Sequence, residues 1–145
     1  MSTSDFIKSG LRTVEMEALA VSAMTLGING DFSLACQIIL ACEGRVVVTG
    51  MGKSGHIGNK IASTLASTGT PAFFVHPGEA SHGDLGMITK SDAVIAISNS
   101  GKTTEVVTLL PLIKRLGIPL ISMTGDTESL LSQTADANLD VSVSS

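Results

Sequence analysis

Five short apolar segments, separated by stretches with helical periodicity, constrain the fold of this chain more than any other feature. The segments are rich in Val and Ile and lie at residues 45–49, 72–76, 93–98, 119–124 and 138–143. Helical patterns separate most of them, at residues 55–67, 103–116 and 128–134. Apolar strands that alternate with helices are typical of a parallel sheet covered by helices on both faces. We therefore predict an α/β fold built on one parallel sheet.

Two helices are predicted before the first strand. Between residues 4 and 26, apolar side chains recur at three- and four-residue intervals, which indicates one helical face; they are Ile7, Leu11, Val14, Ala18 and Val21. A second helix is predicted from an N-cap at Asp31 to an end at Gly44. These helices carry more apolar surface than one sheet face needs, so we expect them to pack in an intersubunit bundle. The chain is thus one domain, with N-terminal helices at residues 1–43 and an α/β core at residues 44–145.

Composition argues against several classes of function. The chain has 145 residues, of which 43% are hydrophobic, and this is enough for one core. A net charge of −4 and an aromatic content of 3% argue against binding to nucleic acid. No segment reaches membrane-spanning length, and the N-terminus has no signal-peptide core. We expect a cytoplasmic protein that does not bind membranes, with Cys36 and Cys42 as reduced core thiols.

The sequence GMGKSGHIG at residues 50–58 follows the first apolar segment and matches two phosphate-binding patterns only in part. The Walker A pattern needs a glycine at the position of Val47, inside the strand. The dinucleotide pattern G-x-G-x-x-G is complete, but no Asp or Glu stands at the tip of the next strand to bind the ribose. An anion site remains, because glycines allow close approach to the backbone and a helix N-terminus attracts negative charge.

The sequence SNSGKTTE at residues 98–105 follows the third strand and is the most informative polar cluster. In open parallel sheets, ligands bind beyond the carboxyl ends of the strands, where the strand order reverses. Ser98, Ser100 and Thr103 carry hydroxyls that suit the oxygens of a phosphate monoester. Lys102 adds positive charge. The alternative is that Ser100 or Thr103 only caps the following helix, and we favour the phosphate site because the glycine loop accompanies it.

A metal site is not expected. Suitable ligand atoms occur in His76, Glu79, His82 and Asp84, but no H-E-x-x-H or cysteine pattern typical of zinc is present. His56 and His76 have no carboxylate partner that the sequence places beside them, so we interpret both as structural or indirect. We expect no cofactor.

Three segments of the chain, GMGKSGHIG, STGTPAFFVHPGEASHGDLGM and AISNSGKTTE, resemble in order and spacing the sugar isomerase (SIS) domain. The similarity is greatest to the arabinose-5-phosphate isomerases and runs from about residue 43 to the C-terminus. The resemblance implies a flavodoxin-like five-stranded sheet and a homo-oligomer, dimer or tetramer, with sites shared between subunits. It also implies the interconversion of D-arabinose 5-phosphate and D-ribulose 5-phosphate, without metal or nucleotide, for Kdo and lipopolysaccharide biosynthesis.

The resemblance assigns Lys53, Glu105 and His82 to catalysis. Aldose–ketose isomerisation moves a proton between C1 and C2 through an enediol, so it requires a base and a group that stabilises the oxyanion. Glu105 is the candidate base, and the alternative is an acid that only stabilises the helix dipole. Lys53 is the candidate oxyanion group, with a solvated loop lysine as the alternative. His82 is a candidate for ring opening or carbonyl polarisation.

The resemblance also assigns phosphate binding to Ser98, Ser100 and Thr103 and places Ser54 of the glycine loop at the ligand pocket. Gly52 and Lys102 join them as binding candidates because of the open glycine loop and the positive charge. Many SIS domains carry Glu at the position of Lys102, and a lysine there favours a dianionic phosphate.

The chain ends at Ser145, before a helix and further active-site residues that the family has, and before the CBS domains that often follow. It is therefore either a piece of a longer protein or a domain that binds without efficient turnover. A sugar-phosphate sensor without catalysis is the second function we consider, since SIS modules also occur in regulators. A nicotinamide dehydrogenase is the third, and the absent ribose-binding carboxylate argues against it.

Overall fold

The structure, a computed structural model, describes residues 1–80 and 84–144. The helices are α1 (Thr3–Ala23), α2 (Gly30–Ala41), α3 (Gly52–Ser67), α4 (Pro77–Ala80), α5 (Thr104–Val107), α6 (Leu110–Leu116) and α7 (Leu130–Thr134). The strands are β1 (Val46–Gly50), β2 (Ala72–Val75), β3 (Ala93–Ile97), β4 (Leu120–Thr124) and β5 (Ala137–Asp140). Short 3₁₀ turns occupy Met24–Gly27 and Asp84–Met87.

The strands form one five-stranded parallel sheet in the order β2-β1-β3-β4-β5. β1 lies between β2 and β3, so that Val46 is opposite Ala72 on one side and opposite Ala93 on the other. The chain moves outward from β1 to β2 and then crosses back to β3, so the strand order reverses between β1 and β3. The predicted α/β fold with a flavodoxin-like five-stranded sheet is confirmed.

The core has two layers, one on each face of the sheet, because successive side chains of a strand point to opposite faces. In β1, Val47 packs in one layer, and Val46 and Val48 pack in the other. The first layer is closed mainly by α5, α6 and α7, and the second by α2 and α3. All five residues of β1 and of β3 are buried. The sheet therefore holds the carboxyl ends of β1 and β3 in fixed positions.

Three predicted helix boundaries were wrong, and each has a local cause. The N-cap of α2 is Asn29, whose Oδ1 accepts a hydrogen bond from the Asp31 backbone N–H at 3.0 Å. The helix predicted at residues 103–116 is divided into α5 and α6. Pro111 lies in the first turn of α6 and has no N–H to continue a helix from α5. The helix predicted from Gly55 begins at Gly52, three residues earlier.

Helix α1 has no buried residue. Its predicted apolar face is exposed, with Ile7 60%, Leu11 62% and Val14 66% accessible. A capping box begins the helix: the Ser2 hydroxyl accepts from Asp5 N–H, and the Asp5 carboxylate accepts from Ser2 N–H. The Ser2 N–H and the Ser2 hydroxyl both donate hydrogen bonds to the Asp5 carboxylate and lower its pKa. The helix is therefore well formed locally, but nothing in the described chain covers its apolar side chains.

Among the described residues, no single helix is long and apolar enough to cross a membrane. The consecutive segments Thr3–Gly27 and Gly30–Ala41, bent by 82° against each other, meet the length and composition criteria only as a pair.

The two cysteines are free thiols, as predicted. The prediction that both are core residues was wrong, because Cys36 is exposed and Cys42 is half-buried. Cys36 lies on α2 beside Ala35, the buried residue of that helix, and so points away from the sheet.

Candidate active site

The carboxyl end of β1 leads directly into the first turn of α3, and we call residues 50–55 the lysine loop. Its first helical hydrogen bond runs from Gly55 N–H to the Met51 carbonyl oxygen at 3.2 Å. The preceding N–H groups of Gly52, Lys53 and Ser54 have no acceptor within residues 1–80 and 84–144. A helix start with free N–H groups and an exposed lysine attracts an anion.

The glycines of the GMGKSGHIG segment have different structural roles. Gly52 has a φ of +57°, and a Cβ built on it meets no atom within 4 Å. A Cβ on Gly55 would lie 2.6 Å from the Gly50 carbonyl oxygen, and one on Gly58 would lie 3.2 Å from Val48 and Phe74. Of Gly52, Gly55 and Gly58, only the first borders open space where a ligand has access. The other two allow α3 to lie close to the sheet, a role that the sequence analysis did not assign.

The segment that follows β3 is a compact turn, and we call residues 98–103 the hydroxyl turn. Ser98 Oγ accepts a hydrogen bond from Gly101 N–H at 3.0 Å and lies 2.7 Å from Thr103 Oγ1. Gly101 has a φ of +67°, a conformation that glycine adopts without steric cost. Ser98 is 3% exposed. Its hydroxyl is therefore a buried anchor inside the turn.

The outer hydroxyls of the turn are more accessible. Thr103 is half-buried, Ser100 is exposed, and Ser100 Oγ accepts from Lys102 N–H at 3.1 Å. Thr103 is the N-cap residue of α5, yet its side chain makes no capping hydrogen bond. The alternative in which Thr103 only caps the helix is therefore wrong. When Ser98 donates its proton to Thr103 Oγ1, the Thr103 hydroxyl proton is directed outward, where an anion can accept it.

The lysine loop and the hydroxyl turn begin side by side. Gly50 of β1 is opposite Ile97 of β3, on neighbouring strands that lie about 4.8 Å apart. Both segments thus leave the sheet where its strand order reverses, which is the usual ligand position in open parallel sheets. Lys53 follows β1 and Glu105 follows β3 on helix α5, and both are exposed.

His56 and His76 lie outside the lysine loop and the hydroxyl turn. His82 lies outside the described residues, as does the SHG part of its motif. His56 is exposed on α3, and His76 Nδ1 accepts from Gly78 N–H at 3.1 Å in a local turn. Within residues 1–80 and 84–144, no group of three or more His, Cys, Asp or Glu is arranged to hold a metal ion.

The segment between β4 and α7 packs against the hydroxyl turn, a contact that was not predicted from the sequence. Gly125 N–H donates to the Asn99 carbonyl oxygen at 2.8 Å. A Cβ on Gly101 would overlap the side chain of Ser129. Gly125, which directly follows β4, is a sequence signal of this close backbone approach.

Cavities occur away from this site. Two cavities of about 480 and 490 Å³ share Leu34, Ile38 and Pro119 and lie beside α2 at the amino edge of the sheet. A polar cavity of about 350 Å³ lies between the α1–α2 corner and α7. None of the three includes a residue of the lysine loop or of the hydroxyl turn.

Residues 39–145 match the model of the SIS domain family. This chain belongs to the SIS family. It is 66% identical over 139 residues to arabinose 5-phosphate isomerase KdsD of Pseudomonas aeruginosa, with 96% of this chain and 43% of the relative covered. It is 54% identical over 139 residues to arabinose 5-phosphate isomerase KdsD of Escherichia coli K12, with 96% of this chain and 42% of the relative covered.

Among solved SIS-like structures, the chain is similar to E. coli CFT073 c3406 in complex with arabinose 5-phosphate. The TM-score is 0.93 at 43% identity, and the match covers 100% of this chain and 77% of the other. The similarity therefore includes the N-terminal helices as well as the sheet. The chain spans less than half the length of the curated relatives described above.

Proposed function

We propose that this chain forms the sugar-phosphate site of an isomerase that interconverts D-arabinose 5-phosphate and D-ribulose 5-phosphate. One observation carries the proposal: the lysine loop and the hydroxyl turn begin side by side where the strand order reverses. The two segments offer hydroxyls, free N–H groups and lysines, which suit a phosphate monoester. The names of the relatives, and the arabinose 5-phosphate held by a similar structure, support this choice of substrate.

In this proposal the phosphate binds at the hydroxyl turn. Ser100 and Thr103 donate hydroxyl protons to the phosphate oxygens, while Ser98 orients Thr103 from below. Lys102 adds an exposed positive charge. Ser54 and the open face of Gly52 complete the pocket from the lysine loop. The phosphate is thereby fixed at the end of the sugar that does not react.

The reaction takes place at C1 and C2 of the open-chain sugar. Glu105 removes the proton from C2, and the electron pair moves through C1 to O1, which takes up a proton to give the enediol. O2 then gives up its proton as the C2 carbonyl forms, and the Glu105 carboxyl returns the first proton to C1. Lys53 stabilises the negative charge on the oxygen as it develops. His82 assists ring opening or polarises the carbonyl. Protons and electrons balance within the sugar, so this chemistry needs no redox partner.

Ligand-induced stabilisation tests the binding step. A pentose phosphate at a hundredfold excess over its dissociation constant should stabilise the chain by about 2.7 kcal/mol and raise its melting temperature. NAD and ATP, used as controls, should produce no shift. A shift with NAD alone would instead favour a dehydrogenase.

Turnover is tested in parallel with arabinose 5-phosphate, using this chain and a chimaera in which it continues into the C-terminal residues of the Pseudomonas aeruginosa relative. Ribulose 5-phosphate formation by the chimaera supports the isomerase. Binding without turnover by the chimaera would leave the non-catalytic sugar-phosphate module as the function.

We also infer that the chain assembles as a homo-oligomer through α1. The inference rests on the exposed apolar face of α1. Within the described part of the chain, this helix has no buried residue. A continuous apolar helix face in contact with water is costly, and a second copy of the same helix covers it with complementary surface.

Sedimentation of matched variants tests the assembly. Leu11→Asp places a charge on the apolar face and should shift the protein toward monomer. Thr13→Asp introduces the same charge at an exposed position outside the set that defines that face and should leave the assembly intact. A parent chain that sediments as a monomer of normal stability would contradict the inference.

A further inference from the structure

The hydroxyl turn is supported by the neighbouring residues 125–131, which follow β4 and include the start of α7. Two backbone carbonyl oxygens of the hydroxyl turn accept hydrogen bonds from these residues. Gly125 N–H donates to Asn99 O at 2.8 Å, and Leu131 N–H donates to Gly101 O at 3.3 Å. With those two carbonyls occupied, their peptide groups cannot rotate freely. The conformation of the hydroxyl turn is therefore restrained by hydrogen bonds from the neighbouring residues.

Ser129 lies at the centre of this contact. Its side chain is 2% exposed and sits where the Cβ of any residue other than glycine at position 101 would be. Its hydroxyl donates to Asp126 O at 2.8 Å and accepts from Ser132 N–H at 3.3 Å. Both hydrogen-bonding functions are thus used within its own segment. Ser129 contacts the turn through packing and has no free group with which to contact a ligand directly.

We propose that Ser129 is a positioning residue for phosphate binding, acting through Gly101. By filling the space beneath Gly101, Ser129 holds that residue at its positive φ, with its N–H on Ser98 Oγ. The hydrogen bond from Gly101 N–H fixes the position of Ser98 Oγ, from which it can donate its proton to Thr103 Oγ1 and leave the Thr103 proton for the phosphate. The inference rests on the function proposed above and adds a buried residue outside the site to its machinery.

The experiment compares Ser129→Ala with Ser122→Ala. Ser122 is a matched control because it is also a fully buried serine of the β4 region, and its hydroxyl binds Asn138 rather than the turn. The first measurement is hydrogen exchange of the Gly101 amide in the ligand-free protein. Ser129→Ala should accelerate this exchange by about tenfold, because the packing that holds the Gly101 N–H on Ser98 is loosened, while Ser122→Ala leaves it within about twofold of the parent.

The second measurement is titration with arabinose 5-phosphate well below the melting temperature. Ser129→Ala should weaken binding about tenfold, and Ser122→Ala less than about twofold. In the chimaera, Ser129→Ala should raise KM while kcat stays near the parent value, since the phosphate is remote from the reacting carbons. A purely structural role would lower stability without this division between KM and kcat.

Gly125→Ala provides a second, independent variant. A Cβ there would lie 2.5 Å from Asn99 Oδ1, which can rotate away, and 3.2 Å from the Asn99 carbonyl oxygen, which belongs to the backbone of the turn. The backbone at that end of the turn must then shift slightly, so the substitution should weaken binding in the same direction. The inference is overturned if Ser129→Ala leaves Gly101 exchange unchanged, or if both serine variants lose equal affinity. A parent chain that does not bind arabinose 5-phosphate overturns the proposed function and, with it, the role in phosphate binding; the exchange result then decides only whether Ser129 holds Gly101 in place.

Discussion

The lysine loop and the hydroxyl turn occupy equivalent places after neighbouring strands, yet they are built differently. In the lysine loop the side chains of Lys53 and Ser54 make no hydrogen bond within the described residues, and Gly52 borders open space. The hydroxyl turn is closed on itself by hydrogen bonds of Ser98 and Ser100, and it is packed from below by Ser129.

The difference indicates a division of tasks. A turn fixed by internal hydrogen bonds presents donors in one arrangement, which suits a group of constant shape such as a phosphate. An open helix start with an exposed lysine on a long side chain suits a group whose charge changes during reaction. In the proposed function, rigid binding and adaptable chemistry therefore come from two strand ends of one sheet.

The largest expected effect comes from placing a methyl group in the packed turn. Gly101→Ala should destabilise the chain by about 2 to 5 kcal/mol, combining left-handed strain with overpacking against Ser129. Gly117→Ala is the control, because Gly117 has a φ of +66°, close to the +67° of Gly101, but nothing within 4 Å of its Cβ position. Gly117→Ala should lower the free energy of unfolding only by the left-handed backbone strain, about 1 to 2 kcal/mol.

Gly52→Ala extends the same comparison to the lysine loop. With a φ of +57° and open space around it, this variant should resemble Gly117→Ala in urea denaturation. If Gly101→Ala and Gly52→Ala lower the free energy of unfolding equally, the distinction between a packed hydroxyl turn and an open lysine loop is wrong.

The next effect separates chemistry from binding. Glu105→Gln keeps the shape of the side chain and removes the base, so turnover of the chimaera should fall by at least about a hundredfold while affinity for the sugar phosphate is nearly unchanged. Lys53→Ala should lose most of the turnover and also some affinity, because a cation near C1 and C2 contacts both ground state and transition state. If Glu105→Gln isomerises at the parent rate, Glu105 only stabilises the dipole of α5.

The smallest effects distinguish the groups within the hydroxyl turn. Ser100→Ala should weaken phosphate-ester binding by about 1.5 to 3 kcal/mol, the cost of a hydrogen bond to a charged group. Lys102→Gln should weaken phosphate-ester binding by about 0.2 to 1 kcal/mol in dilute buffer and by almost nothing in concentrated salt, because salt screens an exposed charge. Calorimetric titration at two salt concentrations measures both. A salt-independent loss at Lys102 would indicate a hydrogen bond of fixed geometry instead.

The sheet and the neighbourhood of the two segments were predictable from sequence because they depend on local patterns. Val- and Ile-rich runs separated by helices determine a parallel sheet, and a parallel sheet brings the ends of β1 and β3 together. The Ser and Thr hydroxyls of SNSGKT could be identified as candidate phosphate ligands from their residue types alone. The start of α3 at Gly52 was missed because glycine has a poor intrinsic helix propensity, although packing of Gly55 and Gly58 against the sheet overrides it.

The contact between Ser129 and Gly101 was not predictable because it joins residues that are distant in sequence and neutral in chemistry. A serine after a strand is commonly a helix cap, and Ser129 does cap α7. Only the three-dimensional arrangement of β3 beside β4 reveals that the same side chain also fills the space beneath the turn. Likewise, exposure of Cys36 depends on which face of α2 meets the sheet, and sequence spacing alone did not determine this face.

The complete exposure of α1 also has a thermodynamic consequence. A helix with no buried residue gains nothing from the core of its own chain, although most of the stability of protein helices comes from packing of an apolar face. If a second copy covers α1, helix formation and association are linked by mass action. The helical content and the melting temperature of this protein should then rise with its concentration, so that a stability measured at one dilution describes that dilution alone.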